Sequence, residues 1–267
     1  MTPSLVLQEW LVEGATLTER MEAALEAGFD GLEVRDARPE RLPELREALA
    51  AGGVIPTSVP ATDGFIGDFD PSRRARATQQ LRRELEGLAE LGGRAVIAPA
   101  AWGMWTNRLP PFDPPPRTPE EDRELLIEQV AALGEHARSL GVRLLLEPLN
   151  RYEDHMLNTV AAACDVVAAA ASDGARVLAD TYHMNIEEDD ICAALSAGAP
   201  WLGGVHLSDS NRYQPGEGHV DFAAVLAKLR ETGFEGMLSV ECRLRGEARD
   251  AIPRCGSFLR TLLAEWI

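Results

Sequence analysis

The chain has 267 residues, 45% hydrophobic and 26% charged, enough for one large core or two small ones. A net charge of -17 argues against a nucleic-acid-binding face, which needs clustered Lys and Arg, but leaves room for a small anion held by a local arginine. No apolar run is long enough to span a bilayer and no signal-like segment opens the chain. The four cysteines, Cys164, Cys192, Cys242 and Cys255, form no CxxC pair, so a reduced, cytoplasmic setting is expected.

In chain order, Ser4 to Leu7 reads as a first strand, and Thr18 to Ala27 as a helix stopped by Gly28. Leu32 to Val34 is a second strand, Pro39 to Ala50 a helix, and Val54 to Val59 a third strand. The loop from Asp63 to Asp70 precedes a long amphipathic helix, Pro71 to Leu91, and a fourth strand, Ala95 to Ala98. Ala100 to Pro119 is the largest irregular stretch, holding Trp102, Trp105, Phe112 and a proline cluster; its length suggests a functional loop or lid rather than a plain connector. Thr118 and Glu121 form a capping-box pattern ahead of a helix over Glu120 to Leu140.

Arg143 to Glu153, RLLLEPLNRYE, is the most informative stretch. An apolar run, Leu144 to Leu146, of the kind buried in a parallel sheet, ends at a carboxylate, Glu147, and Pro148 halts the strand. Thr159 to Ala171 is an alanine-rich helix, followed by a sixth strand, Ala175 to Ala179, ending at Asp180. A short helix over Glu188 to Ala197, a strand over Leu202 to Leu207, a helix over Asp221 to Glu231 and a strand over Met237 to Val240 come next. A final helical region runs from Gly246 to Trp266.

Strand then helix, eight times and without an obvious linker, predicts one (β/α)₈ barrel domain spanning 1–267. The competing open doubly wound sheet usually carries a glycine-rich phosphate turn after its first strand, and none is present. In a barrel, strand ends converge on one mouth, so Glu147, Asp180, His206 and Glu241 from strands five to eight meet there. Singly, each is explained by a helix cap or a core hydrogen bond. Together, three carboxylates and an imidazole make a divalent-metal site whose mutual repulsion would otherwise be costly. The oxygen-rich set favours Mn²⁺, Mg²⁺ or Co²⁺. Nearby, His183 can donate to a substrate oxygen and Arg212 can hold a hydroxyl or phosphate oxygen, while Glu153 lies six residues beyond Glu147. The Pro215-Gly216-Glu217-Gly218 run reads as a loop constraint, Asp221 and His219 as caps, and His136 and His155 as structural polar groups.

The segments LLLEPLNRYEDH, LADTYHMNIEED, VHLSDSNRYQPGEGHVDF and LSVECRL, with GFDGLE nearer the start, resemble the xylose-isomerase-like barrel enzymes and most of all the ketose 3-epimerases. That resemblance implies a small sugar substrate, no nucleic acid or membrane partner, and a homo-oligomer, dimer or tetramer. It makes Glu147, Asp180, His206 and Glu241 the metal ligands, with Glu147 and Glu241 doubling as the acid/base pair that inverts C3 through an enediolate. Glu153, His183 and Arg212 would hold the substrate's hydroxyls and carbonyl. Trp10, Phe65, Trp102 and Trp105 have no clear family match and should select the sugar. The same ligands suit aldose–ketose or hydroxypyruvate isomerisation and inosose dehydration, since all begin beside a carbonyl. A barrel that binds sugar without catalysis is the rival from another class. An endonuclease-like reading needs more metal-binding histidines and a basic face, which five histidines and the charge of -17 oppose.

Overall fold

The computed structural model describes residues 3–105 and 114–266. Its strands are β1 (Ser4–Gln8), β2 (Gly31–Glu33), β3 (Thr57–Ser58), β4 (Ala95–Pro99), β5 (Arg143–Glu147), β6 (Ala175–Asp180), β7 (Leu202–Leu207) and β8 (Met237–Val240). They form one parallel sheet in the order β2-β1-β8-β7-β6-β5-β4-β3. Isolated parallel bridges from Gly31 to Val54 and from Val34 to Ser58 join the two outer strands and close the barrel.

The surrounding helices are α1 (Leu17–Glu26), α2 (Leu42–Leu49), α3 (Pro71–Glu90), α4 (Pro119–Ser139), α5 (Val160–Ala170), α6 (Thr181–Glu187), α7 (Ile191–Gly198), α8 (Phe222–Glu231) and α9 (Ala248–Leu263). Their starts are chemically marked. The Thr118 and Glu121 side chains each cap the other's backbone at α4, as the sequence pattern predicts, and Thr16 with Glu19 does the same at α1. Asp221 caps α8 by accepting from the Ala224 amide. Among the described residues no helix is long and apolar enough to cross a membrane.

The two-residue side-chain period of the strands sorts the core into two layers. Outward-facing Leu144, Leu146, Val177, Ala179, Val205, Leu207, Leu238 and Val240 join the large cluster beneath the helices. Inward-facing Ala95, Ile97, Leu145, Leu178 and Met237 form a small cluster that plugs the barrel. Two residues beyond Leu145 and Leu178 come Glu147 and Asp180, and four beyond Met237 comes Glu241. The same alternation that fills the barrel floor therefore aims the acidic groups into its mouth.

Three expectations need correction. The third strand does not run from Val54 to Val59: regular pairing is confined to Thr57–Ser58, because Pro56 has no amide to donate to the ladder. Its Val54 end instead lies so close to β2 that a Cβ on Gly31 would sit 1.9 Å from the Val54 carbonyl oxygen. The helix expected over Glu188 to Ala197 occupies Ile191–Gly198, and another, α6, begins directly at the end of β6. The helix from Pro39 opens as a tight 3₁₀ turn, Pro39–Arg41, before α2. Of the suspected lid, Pro110, Pro111 and Phe112 lie outside the described residues.

Candidate metal centre and active site

Strand register brings the four expected ligands together. Asp180 lies level with His206 across β6 and β7, and Glu241 follows β8, its amide donating to the Leu207 carbonyl at 3.3 Å. One donor atom from each of Glu147, Asp180, His206 and Glu241 falls within 4.8 Å of every other. Donors about 2.1 Å from a divalent ion are at most roughly 4.2 Å apart, so a contraction of a few tenths of an ångström closes the shell. His206 Nδ1 lies 2.8 Å from Glu241 Oε2, 3.4 Å from Glu147 Oε1 and 3.9 Å from Asp180 Oδ2. It nevertheless makes no in-line hydrogen bond to them, and Nε2 on the far side of the ring makes none either. A buried imidazole nitrogen facing three carboxylates without a hydrogen bond fits a metal ligand better than a core polar group.

The charges around the site separate its two glutamates. Burial pushes the Glu147 carboxyl upward, and the neighbouring Glu241 and Asp180 add to this against the pull of His206. Burial acts on Glu241 in the same sense, but His206 and Arg212 outweigh it and hold Glu241 well below the usual carboxylate range. His206 is lifted well above its ordinary value because Glu33, Glu241 and Glu147 overcome its burial.

Glu33, which the sequence reading passed over, sits behind the site at the end of β2. One oxygen is 3.0 Å from His206 Nε2 and receives the Gln8 side-chain amide at 3.2 Å; the other accepts from the Thr57 hydroxyl at 2.7 Å. Its signal was available: it ends a strand as Glu147 does, and Gln8 pairs with it in the β1–β2 register.

Arg212 reaches in from the β7–α8 loop, placing Nη1 2.6 Å from Asp180 Oδ2 and Nη2 2.9 Å from Glu241 Oε2, with its guanidinium over the Tyr182 ring. It adopts φ +62°, a left-handed conformation that is unfavourable for a residue with a Cβ. Asp209, also missed in the sequence, holds that loop. Fully buried, its carboxylate accepts from the amides of Ser210, Gly216, Gly218 and Val220, and its carbonyl accepts from the Arg212 amide. The PGEG run is therefore a wrapping around Asp209, as its reading as a loop constraint expects. A Cβ on Gly218 would meet Asp209 Oδ1 at 2.2 Å.

His183 stands on α6, whose first amides are capped by Asp180. Its Nδ1 accepts the Asn150 backbone amide at 3.1 Å, which leaves the ring proton on Nε2, 3.8 Å from Asp180 Oδ2. Asn150 also donates to Glu153 at 2.9 Å, and the Trp102 indole donates to the other Glu153 oxygen at 3.1 Å. Phe65 meets Trp102 edge-on at 6.3 Å. Glu153, Trp102 and Phe65 thus adjoin one another, and His155 pairs with Asp122 at 3.3 Å. His136 pairs with Glu86, in keeping with its expected structural role. A cavity of about 340 Å³ opens beside Glu241, lined by Gln8, Trp10, Glu153, Tyr182, Arg212 and Arg243 among others.

Residues 21–262 match the model of the xylose isomerase-like TIM barrel family. The chain is 40% identical over 234 residues to the 3-dehydro-D-guloside 4-epimerase of Escherichia coli K12, covering 86% of this chain and 88% of that protein. It is 33% identical over 221 residues to an L-ribulose 3-epimerase of Mesorhizobium japonicum, covering 81% and 72%. The crystal structure of the E. coli 3-keto-D-glucoside 4-epimerase superposes with a TM-score of 0.92 at 37% identity, covering 97% of this chain and 99% of that one. With its buried carboxylate–imidazole cluster at the barrel mouth, the chain belongs to the xylose isomerase-like TIM barrel family, as a metal-dependent carbohydrate isomerase or epimerase.

Proposed function

We propose that the protein is an epimerase that inverts the carbon beside a ketone of a sugar, most specifically C4 of a 3-keto-glycoside. The single observation that carries the α-carbon chemistry is the pair of glutamates, Glu147 and Glu241, delivered to one small site from β5 and β8 with two strands between them. A divalent ion, Mn²⁺ by preference with Mg²⁺ or Co²⁺ as alternatives, would be held by Glu147, Asp180, His206 and Glu241. When bound it polarises a carbonyl and stabilises charge developing on its oxygen. One glutamate removes the proton beside the ketone to give an enediolate, and the other, on the opposite side, returns a proton to the opposite face. His183 donates its Nε2 proton to a substrate oxygen, Arg212 holds a neighbouring hydroxyl, and Glu153 orients a further one. Trp102 and Phe65 cover a carbon face of the ring.

The preference for a 3-keto-glycoside rests on the 40%-identical relative that acts at C4 of such a compound. The second reading, C3 epimerisation of a free 2-ketose, is favoured by relatives such as the L-ribulose 3-epimerase at 33% identity. Both are the same reaction one carbon apart. Manganese-loaded protein should therefore be given methyl 3-keto-glucoside, D-fructose, D-tagatose and L-ribulose, with products identified by NMR. Inversion at C4 of the glycoside, much faster than at C3 of any ketose, supports the first reading. The reverse order supports the second, and aldose formation or loss of water would replace epimerisation altogether.

A further inference from the structure

We propose that Glu33 is a positioning residue for the metal site, holding the His206 imidazole from behind so that Nδ1 faces the three carboxylates. The carboxylate is fully buried and, among the described residues, no lysine or arginine pairs with it. A buried carboxylate is costly unless its oxygens are engaged. Here Thr57 Oγ donates to one oxygen at 2.7 Å, while the other receives Gln8 Nε2 at 3.2 Å and lies 3.0 Å from His206 Nε2. β1, β2, β3 and β7 thus each contribute a side chain to one contact behind the ligand.

Glu33 has no other route to the chemistry. It is outside the four-donor cluster, since it touches the imidazole on the nitrogen turned away from Glu147, Asp180 and Glu241. It does not line the cavity beside Glu241, so it has no substrate to meet. A fixed carboxylate 3.0 Å from Nε2, in ion-pair contact though not in line for a hydrogen bond, favours the ring proton on that nitrogen and leaves Nδ1 to face the cluster, and removing such a support typically weakens metal binding by about 10- to 100-fold. Gln8 and Thr57 in turn fix the carboxylate, so the N-terminal strands, which supply none of the four ligands, would set the aim of the imidazole ligand.

The inference rests on the reading of Glu147, Asp180, His206 and Glu241 as the ligand set, and titration calorimetry separates the two. Manganese is titrated into metal-free wild type, Glu33→Gln and Thr57→Val. We expect one site in each, about 10- to 100-fold weaker in E33Q, and an intermediate loss in T57V, which keeps the carboxylate but loosens it. In magnesium-loaded protein the low-field His206 Nε2–H resonance should move upfield in E33Q. A merely structural role would lower the melting temperature of both variants but leave affinity and the resonance at wild-type values, and that outcome overturns the proposal. If E33Q does not fold, T57V with wild-type affinity overturns it alone. A wild type that binds no manganese would overturn the ligand set and the proposal together, whereas weak binding in E33Q with intact wild-type binding supports both.

Discussion

The two halves of the barrel are built to different standards. From β5 to β8 the strands are four to six residues long and largely apolar, and each of β5 to β8 brings one of the four clustered donors to the mouth. From β1 to β4 the sheet includes strands of three and two residues, closes through isolated bridges, and delivers no ligand. What it delivers is support: Glu33 and Thr57 behind His206, Gln8 between Glu33 and the cavity, and Trp102, with Phe65 edge-on to it, against Glu153. Reactive groups need placement to a fraction of an ångström and come from the regular half. The irregular half has more freedom to vary the pocket wall without disturbing them.

If this division holds, the largest losses belong to the regular half. Chelation should abolish turnover and lower the melting temperature, with manganese restoring both, as checked by activity and thermal denaturation. Glu147→Gln and Glu241→Gln should each cut kcat by about a thousandfold or more. Since both residues belong to the proposed ligand set, manganese content must be measured beside the rate.

Asp209→Ala comes next. It removes the acceptor of four backbone amides in the loop that presents Arg212, so stability should fall by about 3 kcal/mol or more in denaturant titration. Any folded fraction should show raised KM as Arg212 relaxes from its left-handed conformation. Trp102→Ala should raise KM by about fivefold with a smaller change in kcat, because the exposed indole (54% accessible) buttresses Glu153 and, under the proposed function, covers only a ring face. An equal loss in kcat would move Trp102 from the cover into the chemistry and break the comparison.

The smallest effect concerns pH and the supporting half alone. Glu84 of α3 accepts from the Ala37 amide at 2.7 Å, and burial pushes its carboxyl up to about 8, helped by neighbouring Asp36. Because the folded state holds this proton more tightly than the unfolded chain, the contribution to stability is full below pH about 4.5. It is lost as pH rises through about 8. Glu84→Gln, which mimics the protonated form, should therefore raise the melting temperature at pH 8.5 relative to wild type and leave it nearly unchanged at pH 5. Turnover should be unaffected.

Legibility in the sequence followed the same division. The strands carrying Glu147, Asp180, His206 and Glu241 are short, mostly apolar segments, and Asp180, Glu147 with Pro148, and Glu241 mark where three of them stop, so their ends could be read directly. The segment expected as the third strand, Val54 to Val59, has apolar ends, but Pro56 interrupts its ladder, which a hydrophobicity pattern does not register. α6 escaped because seven residues starting directly from a strand leave no room for helical periodicity, although Asp180 ahead of Thr181 was a usable N-cap signal. Glu33 carried the same strand-end signal as Glu147, but its three-residue strand made the end easy to pass over, whereas Asp209 was hidden because it acts through backbone amides, which have no motif.

The central claim is that two glutamates on opposite sides of one bound ketone exchange protons with different faces of the same carbon. Its most direct test is the first few per cent of turnover by manganese-loaded protein in heavy water, with product and recovered substrate both analysed by NMR. Two separate bases predict product carrying deuterium at the inverted carbon while recovered substrate remains unlabelled there. Product that keeps its original hydrogen at that carbon would contradict the account, and so would label entering the substrate as fast as the product.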